Sequence, residues 1–307
     1  MHKIFFVAFF AAISARAFEP TDAYTPRELD GFTVLVHREV LAHTNDCAAA
    51  DRELKKQLDF LTNALPGKSV AALRGVRIWL EWAAKKNGGA EFHPSREWLV
   101  THDHNPEKTR NVEINNTRNF INWSRDTQPC MVIHEFSHAY HFIVLGADYA
   151  PIREAFKHAK ETGIYDSVEY IHGGKKKAYA MTDEKEYFAE LSEAYFGKND
   201  FFPFTRDELK KHDPQGYEAV DRAWQSPLDR STNSTRIGKD EIIEIAKTEL
   251  GTRGLSWEQI EIVSAKEDVA QWRVDACLRY SVPTDHTQYV TLIIGKDGRV
   301  VDVLQDY

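Results

Sequence analysis

The sequence lacks several elements that mark common protein classes. It has no glycine-rich phosphate loop and no G-x-S-x-G element, so the usual motifs of nucleotide-binding enzymes and of serine hydrolases are absent. It also has no extended face of lysine and arginine, and its formal net charge is −8. We therefore do not expect nucleic acid or an anionic membrane as its main partner. No internal repeat or low-complexity tract is apparent.

Long apolar runs are scarce and are confined to the N-terminus. Lys3 precedes the apolar run Ile4–Ile13, and Ala15-Arg16-Ala17 forms a small-x-small cleavage site before Phe18. A membrane-spanning helix needs about 20 apolar residues, so this run is too short to be an anchor. We expect residues 1–17 to be a secretory signal peptide. The mature protein would then be secreted, or periplasmic in a bacterium, with no stable membrane insertion.

Cysteine is also scarce. Only Cys47, Cys130 and Cys277 are present, which in an oxidising compartment allows one disulfide and one free thiol. Cys47 and Cys130 both fall within residues 18–224, so we expect the disulfide between them. The pairing of Cys277 is left open.

The rest of the chain is long and apolar enough to form a substantial core. It has 307 residues, of which 42% are hydrophobic. Helical and strand patterns are mixed over residues 18–224, and residues 225–238 are polar and rich in Ser and Thr, as in a linker. We therefore predict an α+β protein with a large domain over 18–224, a linker over 225–238 and a small accessory module over 239–307.

The C-terminal module is predicted to be one helix and an antiparallel sheet. An amphipathic helix is expected over Lys239–Leu250, and a turn at Asp297-Gly298 indicates a hairpin. The four predicted strands are Gln259–Ser264, Gln271–Val282, Gln288–Ile294 and Arg299–Leu304. In the longest strand, alternation places Trp272 and Val274 on one face and Cys277 on the other.

The segment His134-Glu135-Phe136-Ser137-His138 carries the strongest chemical signal. Residues four apart lie above one another on a helix, so His134 and His138 can present two imidazoles to one metal ion. Glu135 lies beside them, where it can act as a base instead of a ligand. Zinc lowers the pKa of bound water towards about 7, which is why this spacing suits peptide hydrolysis.

The third ligand is expected from a second helix. A metzincin would have Gly and His at positions 141 and 144, but these are His141 and Val144. The helix predicted over Asp183–Phe196 offers Glu186 and Glu190 on one face, so one can bind the metal while the other orients a ligating histidine. The same helix carries Glu184 and Glu193, which we expect on its solvated side.

These residues resemble a known family, the gluzincin-type metallopeptidases related to the catalytic domain of anthrax toxin lethal factor. The resemblance rests on HEFSHAYH followed by EYFAE. It implies a zincin-like catalytic domain in which His134, His138 and Glu186 bind one Zn²⁺ ion. It further implies that Glu135 is the general base and that Glu190 binds no metal itself but orients a ligating histidine.

The family also has a tyrosine seven residues before the ligating glutamate, and that position here is Tyr179. The resemblance implies that its phenol donates a hydrogen bond to the oxyanion formed during hydrolysis. In zincins generally, an edge strand above the active-site helix pairs with the peptide backbone. Arg77–Trp82 is the candidate for that strand.

Other histidines receive lesser roles. His141 lies one turn beyond His138, and we expect it to support a ligand rather than to be an alternative ligand. His93, His102 and His104 could form another metal site, but scattered loop histidines are expected to be inert.

The sequence therefore predicts a secreted zinc-dependent endopeptidase that acts on peptides or proteins. The alternative is a non-catalytic secreted binding protein that keeps a structural zinc site. Glu135 and Tyr179 favour the enzyme, because a structural site requires neither. Intramolecular regulation by the C-terminal module is a further hypothesis.

Overall fold

The computed structural model of the chain describes residues 18–146, 148–225, 239–251, 260–267, 271–278, 288–295 and 300–306. Residues 1–17, predicted to be a signal peptide, lie outside the described residues, as does the predicted linker beyond Gln225. The chain divides into two compact units, Met1–Leu228 and Asp229–Tyr307. Among the described residues, no helix combines the length and apolar character needed to cross a bilayer.

The first unit contains a five-stranded mixed sheet and a separate two-stranded hairpin. The sheet strands are β1 (Tyr24–Leu29), β2 (Phe32–His37), β3 (Ile78–Leu80), β4 (Glu91–Phe92) and β5 (Val112–Ile114). Their order is β1-β2-β3-β5-β4, with β2, β3 and β5 parallel and both outer strands antiparallel to their neighbours. The hairpin pairs β6 (Val168–Glu169) with β7 (Lys175–Lys176).

Ten α-helices of the first unit are described. They are α1 (Arg38–Ala42), α2 (Thr44–Ala64), α3 (Gly67–Leu73), α4 (Arg96–Thr101), α5 (Thr117–Asp126), α6 (Met131–Tyr140), α7 (Ala150–Thr162), α8 (Glu184–Phe196), α9 (Arg206–His212) and α10 (Pro214–Gln225). Helix α2 has one apolar face that lies in the core, since Leu54, Leu58 and Leu61 are all fully buried. Helix α6 is followed by a π-helical turn, His141–Leu145.

The sheet has one apolar face and one face that mixes apolar and charged side chains. Ile78 and Val112 point into the main core, where α6 also packs. The neighbouring positions Trp79 and Glu113 point the other way, as the two-residue period of a strand requires. On that second face, Lys108 donates to the carboxylates of Glu81 (2.6 Å) and Glu113 (2.8 Å).

The second unit has the predicted helix and antiparallel sheet. Helix α11 (Lys239–Gly251) packs on four strands in the order β11-β10-β9-β8. These are β8 (Ile260–Glu267), β9 (Gln271–Leu278), β10 (Gln288–Gly295) and β11 (Val300–Asp306). Trp272 and Val274 are buried under α11 whereas Arg273 is exposed, so the predicted alternation is confirmed there. The turn at Asp297-Gly298 lies outside the described residues.

The α+β class and the C-terminal antiparallel module are thus confirmed, but the predicted disulfide is wrong. Cys47 and Cys130 are separate, buried free thiols. The Cys47 sulfur lies 3.7 Å from the guanidinium of Arg27, and the Cys130 sulfur accepts the backbone N–H of Lys198 at 3.4 Å. Each sulfur therefore has its own polar contact.

Candidate metal site

Helix α6 holds its two histidines in a largely buried position. Val132, Ile133 and Phe136 are buried and belong to the main core. The side chain of Gln57 accepts the backbone N–H of Val132 at 2.9 Å and so satisfies one of the free donors at the start of the helix. His134 is 9% exposed, so the ring is shielded but still reachable from one side.

Three donor atoms converge beside α6. Glu186 Oε2 lies 3.1 Å from Nε2 of His134 and 3.4 Å from Nε2 of His138. The two Nε2 atoms are 3.2 Å apart. Ligands bound about 2.0–2.1 Å from a zinc ion at tetrahedral angles would be about 3.3–3.4 Å apart. The spacing and the chemistry of these donors therefore fit one zinc ion, with a fourth position free of protein ligands among the described residues.

Helix α8 places Glu186 through its N-terminal cap. The carboxylate of Asp183 accepts the backbone N–H groups of Lys185 (2.8 Å) and Glu186 (3.0 Å). This cap fixes the first turn of α8, and α8 packs directly against α6. The Glu186 carboxylate is therefore held opposite the two histidines by local hydrogen bonds.

The electrostatics of the three residues favour a positive charge between them. Burial alone would raise the pKa of Glu186, but its contacts with His134 and His138 lower that pKa well below the usual range. Burial would also lower the pKa of His134, but Glu186 and Glu193 raise it. A site that stabilises a proton in this way also suits a cation.

The carboxylate that orients His134 is Glu193, and the prediction of Glu190 for this role is corrected. Nδ1–H of His134 donates to Glu193 Oε1 at 2.7 Å, whereas the nearest oxygen of Glu190 is 3.9 Å away. Seven residues along an α-helix bring the side chain back to within about 20° of its starting direction, while four residues leave it about 40° away. Glu193 therefore follows Glu186 along the face that meets His134.

Glu193 and Glu190 are both buried, so the solvated position expected for Glu193 was also wrong. Glu190 is 2% exposed, and its Oε2 atom has no hydrogen-bond partner among the described residues. Burial and the neighbouring carboxylates of Glu193 and Asp200 raise the pKa of Glu190 well above its ordinary value. The raised pKa favours the neutral form of Glu190, and this form limits the negative charge behind His134.

Glu135 lies next to the first histidine and makes no side-chain hydrogen bond among the described residues. It is 7% exposed, and burial raises the pKa of its carboxyl group, although His134 and His138 act in the opposite direction. A buried carboxylate without a structural partner is suited to accept a proton from a reacting group.

Tyr179 reaches the same site from the turn before α8. Its ring centroid lies 6.5 Å from that of His134, and the side chain is 47% exposed. Burial and the nearby Glu186 raise its pKa to about 12, so the phenol keeps its proton at neutral pH. It is therefore available as a hydrogen-bond donor at the edge of the site.

His141 does not make the supporting contact expected of it. Its two ring nitrogens are buried without a hydrogen-bond partner among the described residues, and its ring packs against Phe188 with centroids 5.3 Å apart. Burial and the nearby His138 lower its pKa to about 4, so the ring is neutral at neutral pH. Residue 141 begins the π-helical turn, and its ring forms part of a pocket wall instead of supporting a ligand.

The proposed peptide-binding edge must also be reassigned. The candidate segment Arg77–Trp82 contains β3, which lies inside the sheet between β2 and β5. The edge strand near α6 is β4, and no described strand pairs with its outer side. The backbone C=O of Gly89 and the backbone N–H and C=O of His93 point towards β5. Because these groups alternate in direction along a strand, those of Ala90 and Phe92 point outwards from the sheet edge. Pro94 has no N–H group and ends this free edge.

Sequence reasoning thus missed Glu193 and the strand β4. The seven-residue spacing between Glu186 and Glu193 was a usable signal, because it repeats the same helix face. The two-residue strand β4 was too short to give a strand pattern.

Comparison with known proteins adds no further evidence. No protein-family model, no curated protein and no solved structure matches the chain. The interpretation of the site therefore depends on its donor atoms and their geometry.

Proposed function

We propose that this protein is an exported zinc-dependent endopeptidase of the gluzincin type, with a zincin-like catalytic domain. The observation that carries the proposal is the convergence of His134 Nε2, His138 Nε2 and Glu186 Oε2 at spacings of 3.1–3.4 Å. These residues would hold the zinc ion, which supplies Lewis acidity and lowers the pKa of water. The proposal that the protein is exported rests on the signal peptide predicted over residues 1–17.

In the proposed reaction, water is added across the peptide C–N bond. Glu135 takes one proton from the attacking water while the water oxygen forms a bond to the carbonyl carbon. Tyr179 donates a hydrogen bond to the oxyanion that forms on the substrate. Glu135 then passes the proton to the leaving nitrogen, and cleavage of the C–N bond gives a carboxylic acid and an amine, between which the last proton is exchanged in water.

The carboxylate of Glu135 is buried and makes no side-chain hydrogen bond among the described residues. This favours an enzyme rather than a protein with a structural zinc site. A structural site is usually closed by four protein ligands, whereas three described residues converge here. The free edge of β4 is close to α6 and would bind the substrate backbone as an added strand.

Digestion of a diverse peptide library by the zinc-loaded protein tests this proposal. We expect cleavage by the wild type and a rate lower by roughly 10²- to 10⁴-fold for Glu135→Ala, because the general base is removed. Zinc content should be the same in both. Glu161→Ala, an exposed position on α7, is the matched control and should cleave as the wild type does.

Two results would contradict the proposal. Equal cleavage by the wild type and Glu135→Ala would exclude Glu135 as the base. Stoichiometric zinc without any cleavage across the library would favour the non-catalytic binding protein.

A further inference from the structure

A pocket of about 220 Å³ lies directly beside the candidate metal site. His138 and Glu186 contribute to its wall, so the pocket and the site share two residues. Phe92, at the free edge of β4, forms another part of the wall. A peptide paired with this edge would therefore place a side chain in the pocket close to the bond that is cleaved.

The remaining wall is mainly aromatic and apolar. Phe92 and Phe142 face each other with ring centroids 6.1 Å apart and planes inclined at 56°, and Pro94 lies beside them. Both rings are only partly buried, so part of their surface remains available. Aromatic rings prefer tilted or edge-to-face contacts at such separations, and a third ring can make the same contacts with both.

The charge of Lys185 in the pocket wall disfavours a basic side chain. Lys185 lies in the wall, is exposed and forms no ion pair among the described residues, so it would repel a lysine or arginine of the substrate. Glu186 also lies in the wall, but its carboxylate is assigned to the metal ion in the proposed function. A neutral apolar side chain avoids the repulsion from Lys185.

We infer that this pocket receives a large aromatic side chain of the peptide substrate, from a residue next to the cleaved bond. The inference rests on the proposed peptidase function and adds a substrate class to it. Stacking on Phe92 and Phe142 would distinguish phenylalanine, tyrosine or tryptophan from aliphatic residues, and Lys185 would exclude basic residues.

Matched peptides that differ only at this position test the inference. We expect the zinc-loaded wild type to cleave the phenylalanine peptide with kcat/KM roughly three- to tenfold higher than the leucine peptide. The lysine peptide should be the poorest substrate. In Phe142→Leu, which keeps an apolar wall but loses a ring, the phenylalanine-to-leucine ratio should fall to about one.

Phe60→Leu provides the matched control. Phe60 is 39% exposed on α2 and does not line the pocket, so this variant should keep the wild-type ratio. Phe92→Leu, on the opposite wall, should lower the ratio as Phe142→Leu does, which protects the test against misfolding of one variant. A wild-type preference for a basic or acidic residue, or a phenylalanine-to-leucine ratio that stays at the wild-type value in both pocket variants, would overturn the inference.

A binding measurement separates this inference from the proposed function. If the wild type cleaves no peptide, the peptidase proposal fails, but the pocket can still be tested by saturation-transfer NMR with N-acetyl-phenylalanine amide and N-acetyl-lysine amide. We expect transfer to the aromatic probe only, and its loss in Phe142→Leu. Equal transfer to both probes, or no change in the variant, would contradict an aromatic pocket.

Discussion

Glu193 accepts the Nδ1–H of His134 at 2.7 Å across the contact between α8 and α6. The opposite nitrogen of the same ring faces Glu186 at 3.1 Å. Two carboxylates on one face of α8 thus fix both edges of one imidazole. The hydrogen bond from Nδ1–H to Glu193 selects the imidazole tautomer with a free lone pair on Nε2. This is the form that binds a metal ion through Nε2.

Replacement of Glu193 should therefore weaken zinc binding. We expect Glu193→Gln to lower the zinc affinity by roughly 10- to 100-fold, because the amide no longer enforces the ligating tautomer. Glu190→Gln should have a smaller effect, since Glu190 is 3.9 Å from His134. Competition with a chelator of known affinity measures both. Glu184→Gln on the same helix is the control, and a larger loss from Glu190→Gln than from Glu193→Gln would restore Glu190 to the orienting role.

Removal of the Tyr179 hydroxyl should affect catalysis without affecting the metal. If the proposed function holds, Tyr179→Phe should lower kcat by roughly 10²- to 10³-fold, as expected for one lost oxyanion donor. The pKa of about 12 keeps the phenol protonated throughout the neutral range, so the effect should not depend on pH there. Steady-state kinetics measure the change in kcat, and the zinc content of the variant shows whether the metal is retained.

The half-buried Tyr149, at the start of α7, provides the control Tyr149→Phe, which should behave as the wild type. An unchanged kcat in Tyr179→Phe would show that this phenol takes no part in the reaction.

Local spacing explains why part of the site could be predicted from the sequence. His134 and His138 belong to one helix, so their separation of four residues already determines that they face the same way. The choice among Glu186, Glu190 and Glu193 depends on how α8 is rotated against α6. That rotation is set by packing, and the sequence-based choice of Glu190 as the orienting residue was wrong for this reason.

Strand order was harder to predict than strand position. The β-branched and aromatic segment around Ile78-Trp79-Leu80 is a strand, but its three residues are almost fully buried, as is typical of an inner strand. Local composition could not show which strand lies at the edge. The pocket depends on Phe92 and Phe142, which are distant in sequence and meet only in the folded chain.

The buried ion cluster on the second face of the sheet should make stability depend on acid pH. Burial raises the pKa of Glu113, but hydrogen bonds from His93 (2.6 Å) and Lys108 (2.8 Å) and their charges lower it to about 2 from 4.5. The folded state therefore favours the ionised form. This contribution is complete above about pH 4.5 and is lost as the pH falls towards 2, by about 3 kcal/mol in total.

Urea unfolding between pH 6 and pH 2 measures this dependence. Glu113→Gln should unfold more easily at neutral pH and show a shallower decline below about pH 4.5, because the titrating group is absent. Glu161→Gln, at an exposed position, should keep the wild-type slope. A Glu113→Gln profile parallel to that of the wild type would place the acid sensitivity elsewhere.

Lys108 should be the most sensitive residue of the same cluster. Lys108 is 5% exposed, and its ammonium is shared by Glu81 and Glu113, both also buried, so its removal leaves the two carboxylates without their shared cation. We expect Lys108→Met to lower the free energy of unfolding by about 3–5 kcal/mol. Lys68→Met, an exposed position on α3, should change it little. In the double variant Lys108→Met with Glu113→Gln, part of the loss should return, because one unpaired charge is removed. A loss no larger than that of Lys68→Met would show that the carboxylates do not depend on Lys108.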